Sequence, residues 1–243
     1  MTETLFISDL HLDPERPAIT ELFLELLGGR AARCAGLYIL GDLFEAWAGD
    51  DDLTPQIRDV LDGLQQLTVG GTPVFLMHGN RDFLIGADFE ALTGCRIIPD
   101  PTVVELQDKR VLLMHGDTLC IDDEDYMAWR ATVRNDRWIR EFLTRPLDER
   151  RSLVRMARER SRTATRNKPE EIMDVNQGAV VQVMDAHRVH WLIHGHTHRP
   201  AFHHFDLHGQ PATRIVLGDW YREGSLLAWT DAGGSAEMLP LPG

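Results

Sequence analysis

Five short segments hold most of the residues in this chain that could do chemistry together: Asp9-x-His11, Gly41-Asp42, Gly79-Asn80-Arg81-Asp82, His115-Gly116-Asp117 and Gly195-His196-Thr197-His198. Each follows an apolar run that reads as a strand, over residues 4–7, 37–40, 73–77, 111–114 and 189–193. Carboxylates, an amide oxygen and neutral imidazoles suit hard or borderline divalent ions, and a set without cysteine argues against a structural zinc site. Asp42 is expected to bridge two ions, with the other segments completing both shells. Gly41 before it lets other groups approach the backbone closely. Two cations roughly 3.5–4 Å apart can activate water near neutral pH and offset developing phosphoryl charge. Asp82, and less directly Asp117, are expected to hold a ligand imidazole or Arg81 in place. His78 and His194 should point away from the ions. His187, His190, His203, His204 and His208 read as ordinary surface residues. Gly218-Asp219 also follows a strand and reads as a chance recurrence of a common pair.

The elements that must position these segments follow from periodicity. Helical spacing over 18–27, 53–67 and 83–92 alternates with the first three strands. Thr54 is a candidate cap for the second helix, with Pro55 at its first position. This β-α-β-α-β order predicts a partly parallel sheet. Residues 96–98, 102–106 and 111–114 read as strands without intervening helices, which predicts a second, more antiparallel sheet. From 123 to about 166 the chain is helical and rich in arginine. A helix over 169–187 precedes the strand at 189–193, and strands over 201–207, 213–217 and 225–230 follow.

The 243 residues are 43% hydrophobic and 26% charged, an ordinary soluble composition. A net charge of −13 argues against a general nucleic-acid binder. The total hides an asymmetry: between Tyr126 and Lys168 thirteen Arg/Lys stand against five Asp/Glu, so this segment carries +8 and the remainder −21. Cys34, Cys95 and Cys120 are scattered and odd in number, which suits a reducing compartment. With no leader before the first strand and no run long enough to span a bilayer, a cytoplasmic location is expected.

At these motifs the chain resembles the calcineurin-like metallophosphoesterases. That resemblance implies an α/β fold in which two facing mixed sheets are flanked by helices. It also implies a first ion held by Asp9, His11, Asp42 and His198 and a second by Asp42, Asn80, His115 and His196. The family's third motif usually carries a histidine after the asparagine; here it is Arg81. Arginine stays protonated and cannot act as a general acid, but it can clamp phosphate oxygens. This points to a leaving group that needs little protonation, such as the phosphate of a pyrophosphate.

Gly79-Asn80-Arg81-Asp82, the run over 41–52, the segments 172–177 and 191–200 and the basic insertion together resemble one subgroup, the UDP-2,3-diacylglucosamine pyrophosphatases of lipid A synthesis. The resemblance implies manganese as cofactor, UMP and 2,3-diacylglucosamine 1-phosphate as products, and Asp42, Asn80, Arg81, His115 and His196 as the catalytic group. Substrate contacts would come from Asn80, Arg81, Asp123, Ser161, Thr165, Lys168 and His196; Thr165 stands where some members carry Asn. Residues 1–122 and 169–243 would form the core and 123–168 an inserted lid. In that lid Tyr126, Trp129, Val133, Trp138, Ile139, Phe142 and Leu143 form an apolar side for acyl chains. The basic residues would meet an anionic membrane surface, placing the protein on the cytoplasmic face of an inner membrane without an obligate protein partner. The alternative is a metallophosphoesterase acting on cyclic nucleotides or other phosphodiesters.

Overall fold

The computed structural model describes residues 3–167 and 174–241, without the side chains of residues 162 and 164–167. In β1 (Thr4–Ile7), Leu5 and Ile7 pack under α1 (Pro17–Gly28) and α2 (Pro55–Val69), while Phe6 faces the other way. The next strands, β2 (Gly36–Leu40) and β3 (Val74–Met77), repeat the alternation: Ile39 and Leu76 face the helices, Leu40 and Met77 the interior. Both faces of these strands are buried, which is why they read as continuous apolar runs. After β3, α3 (Ala87–Thr93) carries the chain across to β4 (Arg96–Ile98).

The second sheet contains β5 (Thr102–Leu106), β6 (Lys109–Met114), β7 (Trp191–His194), β8 (Ala201–Leu207) and β9 (Gln210–Val216), in the order β5-β6-β7-β9-β8. Val111, Leu113, Ile193 and Ile215 face the first sheet; Leu112, Met114 and Leu192 pack under α7 (Gln177–His187) through Val180 and Met184. The molecule is therefore a helix–sheet–sheet–helix sandwich. β1 to β4 pair in parallel, as do β6, β7 and β9.

Three expectations are corrected, and the last two strands find their places. β4 is a parallel neighbour of β3, with Phe75 opposite Arg96, and not part of the second sheet. The α3 crossover makes that parallel pairing possible. β10 (Gly224–Thr230) returns to the first sheet antiparallel to β1, and a further strand, β11 (Gly233–Leu239), extends that edge. The polar residues of β11 hid it from periodicity. α3 starts at Ala87 because the Asp50 carboxylate takes the backbone N–H groups of Gly86 and Phe89, organising residues 83–86 as a turn. α7 starts at Gln177, where the Asn176 side chain accepts from the Ala179 N–H; residues 174–176 are not helical, and 168–173 lie outside the described residues.

The basic segment forms α4 (Glu124–Val133), α5 (Asp136–Leu143) and α6 (Leu147–Asn167). Trp138, Ile139 and Phe142 pack against the core on the helix side of the first sheet, with the Trp138 and Phe142 rings stacked at 4.9 Å. The charge asymmetry of the sequence becomes an interface. Arg150, only 3% exposed, donates to the Ala48 carbonyl at 2.5 Å and to Asp51 at 2.8 Å; Arg151 pairs with Asp52 and Arg158 with Glu45. Arg137, Arg140, Arg145, Arg155 and Arg160 remain exposed, as do Trp129, Leu143 and Met156.

Candidate metal centre and active site

All five motif segments leave the carboxyl ends of β1, β2, β3, β6 and β7 and meet where the two sheets face each other. The turns are tight and strained. Asp9, His11, Asp42, His196 and His198 all adopt positive φ, between 50° and 68°. Non-glycine residues in this left-handed region cost of order 1 kcal/mol each, and such strain collects at functional sites. Gly41 has φ of 90°, and a Cβ there would lie 2.5 Å from His115 Nδ1. At Gly79 a Cβ would lie 2.1 Å from Asp42 Oδ1, so only glycine lets these segments close on one another.

The hydrogen bonds fix which atoms face inward. His11 Nδ1 lies 2.9 Å from Glu45 Oε2, and His198 Nδ1 lies 3.5 Å from Asp219 Oδ2. Each carboxylate draws the ring proton to Nδ1 and leaves Nε2 as a lone pair. The two Nε2 atoms face each other at 3.3 Å, a contact of two acceptors that a cation between them would resolve. Asp9 Oδ2 accepts from Ser8 Oγ at 2.6 Å and from the His196 N–H at 2.9 Å. Its Oδ1 is buried with no hydrogen bond, 3.3 Å from His198 Nε2 and 4.0 Å from His11 Nε2. At the second position His115 Nδ1 donates to the Leu40 carbonyl at 2.9 Å, so its Nε2 meets Asn80 Oδ1 at 3.0 Å. His196 Nδ1 reaches the same oxygen at 2.8 Å. Between the two groups sits Asp42 Oδ2, 3.8 Å from His11 Nε2 and 3.9 Å from His115 Nε2. Its other oxygen accepts the Arg81 N–H at 2.8 Å. Asp9, His11 and His198, and Asp9, Asp42 and His115, each bring donor atoms within 4.8 Å of one another.

The electrostatics call for positive charge. Burial alone would push the Asp9 carboxyl up, but the imidazoles of His198, His115 and His11 hold it well below the usual carboxylate range. For Asp42 burial prevails, reinforced by Asp82 and Asp9, and its carboxyl is pushed up. Burial would lower His115, yet Asp42, Asp9 and Asp117 raise it to about 9. His196 is held down at about 3 by burial and by His115. A divalent cation would supply the positive charge that a proton on His115 otherwise supplies, and its binding would release that proton. The donor set therefore fits two divalent ions, with Asp42 in the bridging place.

Supporting residues depart from expectation in instructive ways. Asp82 holds neither an imidazole nor Arg81; its carboxylate takes the N–H groups of Gly79 at 2.9 Å and Leu43 at 2.7 Å, fastening two motif turns together. Asp117 accepts from Tyr126 Oη and Arg130 Nε, both at 2.6 Å, so it anchors α4. Arg134, one turn further on, donates to the Gly79 carbonyl at 2.7 Å. His78 holds the Ile85 carbonyl at 2.8 Å. Asp219 is no chance pair, since it orients His198. Glu45 and Tyr221, whose ring stacks on His11 at 5.2 Å, were not singled out from the sequence. Arg16 lies over Tyr221 at 4.7 Å. Of the expected substrate contacts, Asn80, Arg81 and His196 sit at the centre. Arg81 Nε is buried with no acceptor among the described residues. Asp123 caps α4 by accepting from the Tyr126 N–H, and Ser161 is half-buried on α6. The Thr165 side chain and Lys168 lie outside the described residues.

A sandwich of two mixed sheets with carboxylate–imidazole groups at its strand ends is the construction of a metal-dependent phosphoesterase. The chain belongs to the calcineurin-like phosphoesterase family, which matches residues 3–200. It is 53% identical to the UDP-2,3-diacylglucosamine hydrolase of Pseudomonas entomophila (strain L48), over 94% of this chain and 95% of that one. It is 52% identical to the protein of that name from Pseudomonas aeruginosa (strain UCBPP-PA14), over 98% of each. With the one from Enterobacter sp. (strain 638) the identity is 50%, over 98% and 99%. A solved archaeal phosphodiesterase shares the fold, with a TM-score of 0.51 at 12% identity over 98% of this chain and all of the other.

Proposed function

We propose that this protein hydrolyses the pyrophosphate bond of UDP-2,3-diacylglucosamine, giving UMP and 2,3-diacylglucosamine 1-phosphate for lipid A synthesis. The observation that carries this reading is identity of 50–53%, over 94–98% of this chain, with proteins named for that hydrolysis. Asp9, His11, Asp42 and His198 would hold one ion, and Asp42, Asn80, His115 and His196 the other, manganese being the ion this donor set is proposed to take. Bound there, divalent ions lower the pKa of water and offset phosphoryl charge.

The chain's own residues do the rest. Asp42 is held by the Arg81 N–H with its other oxygen directed between His11 and His115. Arg81 brings a buried, unspent donor to the phosphoryl oxygens and stays protonated throughout, so the lipid phosphate leaves without a side-chain acid. Asp123, Ser161, Thr165 and Lys168 are proposed to receive the sugar nucleotide. Attack is proposed at the α-phosphorus. Hydrolysis in 18O-labelled water should then place the label in UMP; label in 2,3-diacylglucosamine 1-phosphate would overturn that assignment. The alternative, turnover of cyclic nucleotides or other phosphodiesters, is disfavoured by the names of the relatives.

The insertion, residues 123–168, is proposed to act as a lid and as the contact with the cytoplasmic face of an inner membrane. Arg150, Arg151 and Arg158 are spent on the core, which leaves the five exposed arginines, with Trp129, Leu143 and Met156, for that role. Sedimentation with anionic vesicles should fall as salt is raised from low to physiological strength, where screening acts over about 8 Å. Equal sedimentation at both strengths would assign attachment to the apolar residues alone.

A further inference from the structure

Behind the histidine segment, a cavity of about 240 Å³ is lined by Asp174, Thr197, Arg199, His203 and Arg214. It shares no lining residue with the ligand set described above. Arg214, on β9, is only 6% exposed. A buried guanidinium ordinarily faces a carboxylate at contact distance, because the uncompensated charge is costly. Arg214 does not. Its Nη1 donates at 3.1 Å to Nε2 of His194, a neutral acceptor whose Nδ1 donates to the Gly195 carbonyl at 2.8 Å. Its Nε–H has no acceptor among the described residues. The Thr197 hydroxyl, also buried, is likewise unpartnered. The carboxylate in the cavity wall, Asp174, accepts from Arg199 at 2.9 Å, and His203 also lines the cavity.

We propose that this cavity is a second anion site, separate from the metal centre, that binds a tetrahedral oxyanion: inorganic phosphate or the terminal group of a phosphomonoester. The fork of Arg214 meets two oxygens, with Nε–H and the outer guanidinium N–H donating. Thr197 Oγ1 and the His203 imidazole supply neutral donors. The bound charge supplies the contact that the Arg214 guanidinium otherwise lacks. The site also has a structural consequence. Arg214 holds His194, and Thr197 lies between His196 and His198, so an occupant ties down the segment that carries two metal ligands.

Equilibrium dialysis of the metal-loaded protein against radiolabelled inorganic phosphate tests this independently of any hydrolysis. The expected stoichiometry is two phosphates per chain: one at the metal centre, lost on chelation and in Asp42→Ala, and one that survives both. Arg214→Gln should abolish the surviving one. Should that variant fail to fold, the Thr197→Val/His203→Ala double variant should weaken it at least tenfold. UMP that displaces the surviving phosphate would assign the site to phosphomonoesters; phosphate retained against UMP would assign it to the free ion. A metal-stripped protein that binds no phosphate, or metal-independent binding unchanged in both variants, would overturn the proposal whatever the substrate proves to be.

Discussion

Asp42→Ala should lower kcat for the pyrophosphate at least about 10³-fold while leaving the fold intact. Asp42 offers one oxygen to both histidine groups, Oδ2 lying 3.8 Å from His11 Nε2 and 3.9 Å from His115 Nε2. Losing it separates the two ion positions and removes the acceptor that holds the Arg81 backbone. Stability should not suffer in proportion. Asp42 is buried against Asp9 and Asp82, and deleting it relieves like-charge repulsion as well as removing a hydrogen bond. Steady-state assay with thermal unfolding of the same preparations checks both halves. A variant retaining a tenth of the wild-type rate would show that Asp42 does not bridge.

The second large effect falls on stability. Asp117→Ala should cost about 3–5 kcal/mol, because it leaves the half-buried Arg130 guanidinium without its carboxylate and strips the Tyr126 hydroxyl of its acceptor. For a domain of this size that is a fall in Tm on the order of 10 °C. Asp117 is fully buried; burial would raise its carboxyl, but His115, His196 and Arg130 together hold it well below the usual carboxylate range. Asp117→Asn keeps an acceptor for Tyr126 and should cost less. The loss should also reach the site, since α4 carries both Arg134, which grips the Gly79 carbonyl, and Tyr126, whose ring lies over His196 at 6.0 Å. Differential scanning calorimetry of the two variants measures the effect. A Tm unchanged in Asp117→Ala would mean that α4 is held by its apolar contacts alone.

What could be read from the sequence has a physical pattern. The seven candidate ligands were legible because each ends a strand buried on both faces, where a run such as Leu37–Leu40 breaks abruptly into a carboxylate. Two sheets were legible from the order of strands and helices, and their facing arrangement from the resemblance that the motifs carry. The residues that orient those ligands were not. Glu45 reaches His11 and Asp219 reaches His198 across 34 and 21 positions of chain, and nothing local marks either carboxylate. Gly218-Asp219 looks identical to the other motifs and was set aside on frequency alone. Asp82 was expected to hold a side chain because that is what carboxylates beside metal ligands often do; it holds backbone instead, a role the sequence pattern does not encode. β4 was misplaced because sheet membership depends on the crossover that precedes the strand, not on the pattern within it. The basic residues of the lid were expected to meet a membrane surface, while Arg150, Arg151 and Arg158 answer an acidic loop about a hundred residues earlier.

The most direct test of the account is UMP release from UDP-2,3-diacylglucosamine by protein stripped of metal with a chelator, then titrated with manganese. The account predicts no release from the stripped protein and recovery that levels off near two ions per chain. Release undiminished by stripping, or a reloaded protein that cleaves a simple phosphodiester but leaves UDP-2,3-diacylglucosamine intact, would contradict it.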